Sequence, residues 1–145
     1  MNFKKVRYFI HQYTQAGNSV YCESCNLKGK KFIDKKRCPK CNSLPRTRLV
    51  PYSFHYFNVN PNNKKVLHIA PNISEYKFMK GNYTMRQYDT LNINPDKHIN
   101  IIQDITQTSL QSNQYDIIIA WHVLEHIPND VAAIKELYRI LKPNG

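Results

Sequence analysis

The sequence predicts an α/β protein with a parallel sheet, preceded by a small cysteine-rich module. Three observations predict it: two C-x-x-C pairs near the N-terminus, strand-like and helix-like segments that alternate after residue 60, and a basic first third. A chain of 145 residues has room for one small module and one incomplete larger domain. We therefore expect two regions, residues 1–60 and residues 61–145.

Lysine and arginine are concentrated in the first region. The formal net charge is +11, and residues 1–50 hold 12 lysines and arginines against two acids, whereas residues 51–145 hold nine against eight. Such a basic surface can balance an anionic metal centre, or it can bind the phosphates of nucleic acid or of a phosphorylated substrate. Both interpretations remain open for residues 28–48, because the module has few aromatic residues for stacking on bases (Tyr21 and Phe32).

The sequence has no 18-residue apolar run that would span a bilayer, and the residues after Met1 lack the apolar segment of a signal peptide. We therefore expect a cytoplasmic protein with no membrane partner. In that reducing compartment, paired cysteines predict metal ligands before disulfides.

The first region begins with a predicted amphipathic helix. Five apolar residues recur at helical spacing before Gly17, namely Phe3, Val6, Phe9, Ile10 and Tyr13. The cysteine module follows from about Tyr21 to Leu44. A partly helical linker then leads to a polar, turn-rich boundary at residues 60–65.

The four cysteines predict a structural zinc site. Cys22-x2-Cys25 and Cys38-x2-Cys41 are separated by 12 residues. Each C-x-x-C turn points two sulfurs at one centre, so two turns complete a thiolate tetrahedron suited to zinc. Four protein ligands leave no open coordination position, which favours a structural metal over a catalytic one. A redox dithiol is the alternative, and the presence of two pairs at ribbon spacing disfavours it.

Strand and helix candidates alternate in the second region, which predicts a parallel sheet. The strand candidates are Lys65 to Ala70, Tyr83 to Tyr88, Ile99 to Gln103 and Tyr115 to Trp121. A helix candidate spans Ser74 to Lys80 and is expected to stop at Gly81.

The clearest helix follows the fourth strand candidate, in "NDVAAIKELYRILKPNG". Asn129 or Asp130 can cap its start, and Pro143 with Gly145 is expected to stop it. Its predicted apolar stripe consists of Val131, Ile134, Leu137, Tyr138 and Leu141.

From residue 66 onward, the order of motifs resembles a class I S-adenosylmethionine-dependent methyltransferase. "VLHIAPN" matches the first strand and loop, "YTMRQYDTLN" the second strand, "INIIQDIT" the third, and "YDIIIAWHVLEHIPNDVAAIKELYRILKPNG" the fourth strand and its helix. "HVLEHIP" and the ending L-K-P-x-G look like the family typified by ubiquinone-biosynthesis enzymes. Residues 38–48 look like the "C-P-x-C-x-S-x-x-R-x-R" zinc knuckle of one subgroup.

The resemblance implies a Rossmann-like methyltransferase sheet that binds S-adenosylmethionine beyond the carboxyl ends of its strands. Asp89 is expected to end the second strand and to accept the ribose hydroxyl protons, although an Asp before Thr90 also suits a turn. Asp104 is expected to meet the adenine amino group with Ile105 packed near the ring, although a loop acid or helix cap is the competing interpretation.

Further residues complete the expected cofactor site. Trp121 and His122 are expected to line the methionine side, and Trp121 is equally a candidate core aromatic. Catalysis is left unassigned, with His126 as the candidate base, since a histidine pKa lies near neutrality. The full set of expected cofactor-binding residues is His68, Ala70, Pro71, Asp89, Leu91, Asp104, Ile105, Trp121 and His122.

The sequence departs from the family pattern in two places. Ala70 and Pro71 stand where glycine normally lets the backbone approach the cofactor, and Asn72 replaces an acid expected in the zinc-bearing subgroup. Three further strands normally follow L-K-P-x-G, so we expect a C-terminally truncated sheet. Its apolar strand "DIIIAW" is then an exposed edge that a partner chain or a dimer would cover.

Three functions follow from these features. The first is methyl transfer to a small-molecule or sugar-like acceptor, with a structural zinc ribbon. The second is methylation of RNA, with the basic zinc module as the docking surface. The third is a catalytically inactive fragment that uses its zinc ribbon and positive charge to bind nucleic acid.

Overall fold

The computed structural model describes residues 17–145, and the helix predicted over residues 3–13 lies outside that range. The chain divides into two compact units between Val59 and Asn60. No helix in the described range is long and apolar enough to cross a membrane.

The described part of the first unit, residues 17–59, contains two short hairpins and one helix. Strands β1 (Val20–Cys22) and β2 (Leu27–Gly29) pair antiparallel. A second, tighter hairpin joins Ile33 to Arg37, and its tip residues Asp34 and Lys35 have φ angles of 49° and 59°. Two consecutive positive φ angles are typical of the turn that matches the twist of a hairpin.

Helix α1 (Pro45–Tyr56) follows the second pair of cysteines and begins with a proline in its first turn. One face is buried through Thr47, Val50 and Phe54. The guanidinium of Arg48 donates to the carbonyls of Lys36 (3.0 Å) and Ser43 (2.8 Å) and lies 4.0 Å from the centre of the Phe32 ring. The buried arginine therefore fixes the start of α1 to the second hairpin.

The second unit contains a four-stranded sheet with the order β5-β4-β3-β6, and every pair is parallel. Its strands are β3 (Lys65–Ile69), β4 (Gln87–Asn92), β5 (Ile101–Ile102) and β6 (Ile117–Ala120). Helix α2 (Ile73–Asn82) connects β3 to β4. A 3-10 turn (Leu124–His126) and helix α3 (Asp130–Ile140) follow β6. The predicted α/β fold with a parallel sheet is confirmed, and β6 lies at the edge of the described sheet.

The main core of this unit lies between one face of the sheet and α3. Leu67, Leu91 and Tyr115 are fully or almost fully buried there against Ala133 and Ile140 of the helix. Burial of each large side chain of this kind contributes about 1.5–3 kcal/mol. The sheet and α3 therefore hold the carboxyl ends of β3 and β4 in fixed positions.

The buried stripe of α3 differs from the predicted one. Ala133, Leu137 and Ile140 face the core, whereas Val131, Ile134 and Tyr138 are exposed. The small side chain of Ala133 lets the helix approach the sheet. The larger side chains of Val131, Ile134 and Tyr138 lie on the other side of the helix and point outward. The predicted cap is confirmed, since the side chain of Asn129 accepts a hydrogen bond from the Ala132 amide at 3.1 Å.

Two predicted boundaries between α2 and β4 are wrong. Helix α2 continues through Gly81 and ends at Asn82, and β4 begins at Gln87 rather than at Tyr83. Residues 83–86 instead connect to the polar boundary, where the Asn63 amide donates to the Thr84 carbonyl at 2.9 Å. Strand β4 continues through Asp89 and Thr90 because both polar side chains have hydrogen-bond partners inside the unit.

The junction between β3 and α2 replaces glycine by a strained alanine. Ala70 has a φ of 47°, a left-handed conformation that residues other than glycine and asparagine rarely adopt. Its amide donates to the Leu91 carbonyl at 2.7 Å, which fixes the turn. Asn72 then caps α2 by accepting from the Ser74 and Glu75 amides, and the Glu75 carboxylate accepts from the Asn72 amide. Asn72, which replaces the expected acid, therefore begins the helix.

Replacing Ala70 by glycine should stabilise the second unit. Glycine removes the clash of Cβ in the left-handed conformation but adds freedom to the unfolded chain, so we expect a net gain of about 0.5–1 kcal/mol in the free energy of unfolding. Denaturant titration monitored by the fluorescence of Trp121, the single tryptophan of the sequence, measures it. A loss of stability would show that this turn does not hold Ala70 in a strained conformation.

Candidate functional site

An open, mostly apolar pocket of about 350 Å³ lies beyond the carboxyl ends of the parallel strands. Ile69 and Asn92 end β3 and β4, and both line it. The remaining lining comes from the ends of β4 and β5, the loop after β5 and the start of α3: Leu91, Ile93, Gln103, Asp104, Ile105, Thr106, His126, Ile127, Pro128 and Asn129. Parallel sheets bind their ligands at this edge.

The pocket contains four of the residues predicted for the site: Leu91, Asp104, Ile105 and His126. Asp104 also has the turn-forming role that was considered, since its Oδ1 accepts from the amide and the hydroxyl of Thr106, each at 2.8 Å. These hydrogen bonds hold the pKa of the Asp104 carboxyl below its usual range. Asp104 is therefore a charged, exposed acceptor on a fixed turn at the pocket wall.

Asp89 does not lie at the end of a strand, and that prediction is wrong. It lies in the middle of β4 and is 9% exposed. Its carboxylate accepts from the Tyr115 hydroxyl (2.7 Å), Gln87 Nε2 (2.6 Å) and Asn100 Nδ2 (2.9 Å). Because these three donors belong to the protein itself, Asp89 holds the core together and does not reach the pocket.

His68 is also enclosed. It is fully buried, and its Nδ1 lies 3.0 Å from the Tyr88 hydroxyl on the sheet face opposite Leu67. Within the described residues its Nε2 has no hydrogen-bond partner. Burial, and to a smaller extent the nearby His98, lowers the pKa of His68 to about 3. The imidazole is therefore neutral at physiological pH and does not line the pocket.

The other predicted cofactor residues are near the sheet edge but outside the pocket lining. Pro71 is buried, and its carbonyl lies 2.7 Å from His98 Nε2. His122 follows β6 with a φ of 53°, and its Nδ1 lies 3.1 Å from Glu125 Oε1. The indole nitrogen of Trp121 is buried with no partner among the described residues. The structure thus brings His122 and Glu125 together, and the contact of His122 with a cofactor stays a prediction.

Sequence reasoning missed Asn92, the polar side chain at the end of β4. It was missed because the strand was predicted four residues too early. The observed β4 begins at Gln87, so its last residue is Asn92 and Asp89 lies inside it. Asn92 carries both an acceptor and donors and no charge. It therefore occupies the position that had been expected to hold an acid.

The four cysteines form a second candidate site, in the first unit. Their sulfur atoms all lie within 4.8 Å of one another, with 3.7 Å between Cys22 and Cys41 and 3.6 Å between Cys25 and Cys38. A tetrahedron with metal–sulfur bonds of about 2.3 Å has edges of about 3.8 Å. The four sulfurs are therefore close enough together to be ligands of one metal ion.

Each pair of cysteines is followed by an asparagine in the left-handed conformation. Asn26 and Asn42 directly follow Cys25 and Cys41, and their φ angles are 55° and 61°. Asparagine tolerates this left-handed conformation better than most residues, which lets each turn fold back toward its first cysteine. The repeated turn explains how two separate C-x-x-C pairs point at one centre.

The thiols influence one another strongly because they are so close. Hydrogen bonds from the Cys25 and Cys38 thiols lower the pKa of Cys22 to about 6. Contacts with the Cys22, Cys38 and Cys41 sulfurs raise the pKa of Cys25 above its usual range. Full ionisation of the group therefore requires a cation at its centre, as metal binding would supply. The donor set, four sulfurs in a closed arrangement, fits a structural metal such as zinc.

The fold and the pocket together define an α/β protein with an open pocket at the carboxyl edge of a parallel sheet. Comparison with protein families matches residues 62–145 to the family described as a methyltransferase domain. The chain belongs to this methyltransferase family. Class I methyltransferases of this kind use S-adenosylmethionine. A comparison with curated proteins finds no match.

Proposed function

We propose that this protein binds S-adenosylmethionine in the pocket beyond β3, β4 and β5 and transfers its methyl group to a small-molecule or sugar-like acceptor. The observation that supports the proposal best is the position of that pocket, at the carboxyl edge of the sheet in a methyltransferase domain. The acceptor class follows from the resemblance of "HVLEHIP" to the enzymes typified by ubiquinone biosynthesis.

The proposed cofactor is held by three kinds of contact. The side chain of Asn92 would hydrogen-bond the ribose hydroxyls, the Asp104 carboxylate would accept from the adenine amino group, and Leu91 and Ile105 would pack against the ring. All four residues line the pocket. His126 lines the same pocket as these residues. Methyl transfer requires alignment of the sulfonium carbon with a nucleophile, and His126 is the candidate to take the proton of an acceptor hydroxyl.

We propose zinc as the metal of the four cysteines, with a structural role. All four ligand positions are taken by protein sulfurs, so the ion has no open position for a substrate. It would hold the two cysteine turns together in the first unit.

A second candidate function is methylation of RNA. It is favoured by the exposed lysines and arginines of the cysteine module, six of which lie between residues 28 and 37. In this version the first unit binds the acceptor and the second unit carries the cofactor.

Replacing Asn92 by alanine should weaken S-adenosylmethionine binding about tenfold, because the ribose loses its hydrogen-bonding partner in a largely apolar pocket. Replacing it by aspartate should strengthen binding, since a carboxylate accepts hydroxyl protons in charge-assisted hydrogen bonds. Titration calorimetry with S-adenosylmethionine and with its demethylated product measures both effects.

The matched control is Asn94→Ala, since Asn94 is exposed and does not line the pocket. Wild-type protein that gives no heat with either compound would refute the proposed cofactor. Equal affinities for wild type and Asn92→Ala would instead refute the assignment of the ribose contact.

A further inference from the structure

Helix α1 carries a continuous exposed stripe beside the basic module. Arg46, Leu49, Tyr52 and Tyr56 follow one another at separations of three, three and four residues, so they share one face. Leu49 is 46% exposed, Tyr52 53% and Tyr56 69%. Thr47, Val50 and Phe54, on the opposite face, are buried. The helix therefore buries its smaller apolar face and exposes two large aromatic rings.

The exposed rings of Tyr52 and Tyr56 lie nearly parallel to each other. The rings of Tyr52 and Tyr56 have centroids 6.2 Å apart and planes inclined by 19°. Phe57, also 69% exposed, contacts Tyr56 edge to face at 5.0 Å. These contacts hold the tyrosine rings in place, which lowers the entropy cost of binding a planar ligand to them.

The positive charge of the first unit indicates an anionic partner. Residues 17–59 contain nine lysines and arginines against two acids, and all of the nine except Arg48 are exposed. Arg48 fixes α1 to the carbonyls of Lys36 and Ser43, so the aromatic stripe and the lysines belong to the same unit. A polyanion with planar rings matches both features.

We propose that this face of α1, formed by Arg46, Leu49, Tyr52 and Tyr56, binds single-stranded nucleic acid by base stacking while the module lysines hold its phosphates. Unpaired bases expose the ring faces that tyrosines stack on, whereas a duplex hides them. Helix α3 also exposes apolar residues, namely Val131, Ile134 and Tyr138. They lie in a nearly neutral part of the chain, so no excess of lysines is available there to bind phosphates. The proposal does not depend on methyl transfer.

The test is the binding of a fluorescein-labelled uridine oligomer of about 12 nucleotides to the full, zinc-loaded chain, followed by fluorescence anisotropy. Tyr52→Ala and Tyr56→Ala should each weaken binding about tenfold, because stacking on one aromatic ring contributes this much or more. Tyr52→Phe and Tyr56→Phe keep the ring and should stay within about twofold of wild type. Tyr138→Ala is the matched control, since Tyr138 is 81% exposed on α3.

Salt dependence separates stacking from phosphate binding. Affinity is measured between about 50 and 200 mM salt, and the slope of log affinity against log salt reports the number of phosphate contacts. The double variant Lys35→Gln, Lys36→Gln should lower that number by about one or more. The tyrosine variants should leave the slope unchanged. Wild-type protein that does not bind at low salt would overturn the proposal. So would alanine variants that bind like wild type, or a duplex of the same length that binds equally well.

If another part of the chain covers this face of α1, the tyrosines have a structural role and do not bind nucleic acid. In that case the alanine variants would lower the melting temperature, and any loss of binding would follow the loss of folded protein. Circular dichroism and zinc content of each variant identify that result, which would also overturn the proposal.

Discussion

Replacing Cys38 by serine is expected to abolish metal retention and to unfold the first unit. Cys38 is fully buried, and its sulfur lies 3.6 Å from that of Cys25. Structural zinc sites contribute roughly 10–16 kcal/mol to the folding of small modules, which is more than a unit of this size can lose. The wild-type chain should hold one zinc ion, and the Cys38→Ser chain none.

Metal content after gel filtration, measured by atomic absorption, tests this prediction. Cobalt substitution provides a second signal, because a shell of four thiolates gives an intense charge-transfer band that the serine variant would lose. Ser24→Ala is the control, since the Ser24 hydroxyl lies within the first cysteine turn and has no hydrogen-bond partner among the described residues. Full zinc content in the Cys38→Ser chain would show that the four cysteines do not form one metal site.

Tyr115→Phe should strongly destabilise the second unit. The hydroxyl of this fully buried tyrosine donates to the Asp89 carboxylate at 2.7 Å. Burial, followed by the contact with Asp89, raises the pKa of Tyr115 above its usual range, so the hydroxyl keeps its proton. Removing the donor leaves a buried carboxylate with one partner fewer, which costs about 2–3 kcal/mol.

For a unit of this size, that loss corresponds to a fall of roughly 10–20 °C in melting temperature. Trp121 fluorescence follows the second unit alone, because the first unit has no tryptophan. Tyr138→Phe, a change at an exposed tyrosine, should leave the melting temperature almost unchanged. A double-mutant cycle with Asp89→Asn should show that the two effects are not additive, and simple additivity would contradict the proposed contact.

The parts of the fold that depend on local pattern could be predicted from the sequence. The β-branched run at Val66 to Ile69 gave β3 to within one residue, and the helical spacing around Leu137 gave α3 and its cap at Asn129. The cysteine turns were equally predictable, because the spacing within each C-x-x-C pair fixes where its sulfurs point.

The error at β4 has a tertiary cause. Asp89 and Thr90 suggest a turn when only their neighbours in sequence are considered. Their partners, Tyr115 and Asn100, are 26 and 10 residues away, and these contacts pull both polar residues into the middle of a strand. Long-range hydrogen bonds therefore override the local preference, and the same shift hid Asn92.

The site was predictable to the extent that motifs fix it. Asp104 and Ile105 follow a short strand that ends at Ile102, one residue before the predicted end at Gln103, and both line the pocket. His68 belongs to the same recognised stretch as the first loop, but the alternation of side chains along β3 turns it away from the core cluster of Leu67 and Ile69. A motif alone does not specify which sheet face a residue occupies.

The position of β6 at the sheet edge has a consequence for the behaviour of the chain before it is fully folded. The stretch from Ile117 to Ala120 is short, rich in isoleucine and uncharged, as are segments that stack into cross-β fibrils. Asp116 is the charged gatekeeper directly before it. In the folded unit its carboxylate is occupied by the Lys142 ammonium and the Lys65 amide, each at 2.7 Å. In the folded unit, the acid therefore anchors the start of β6 beside β3.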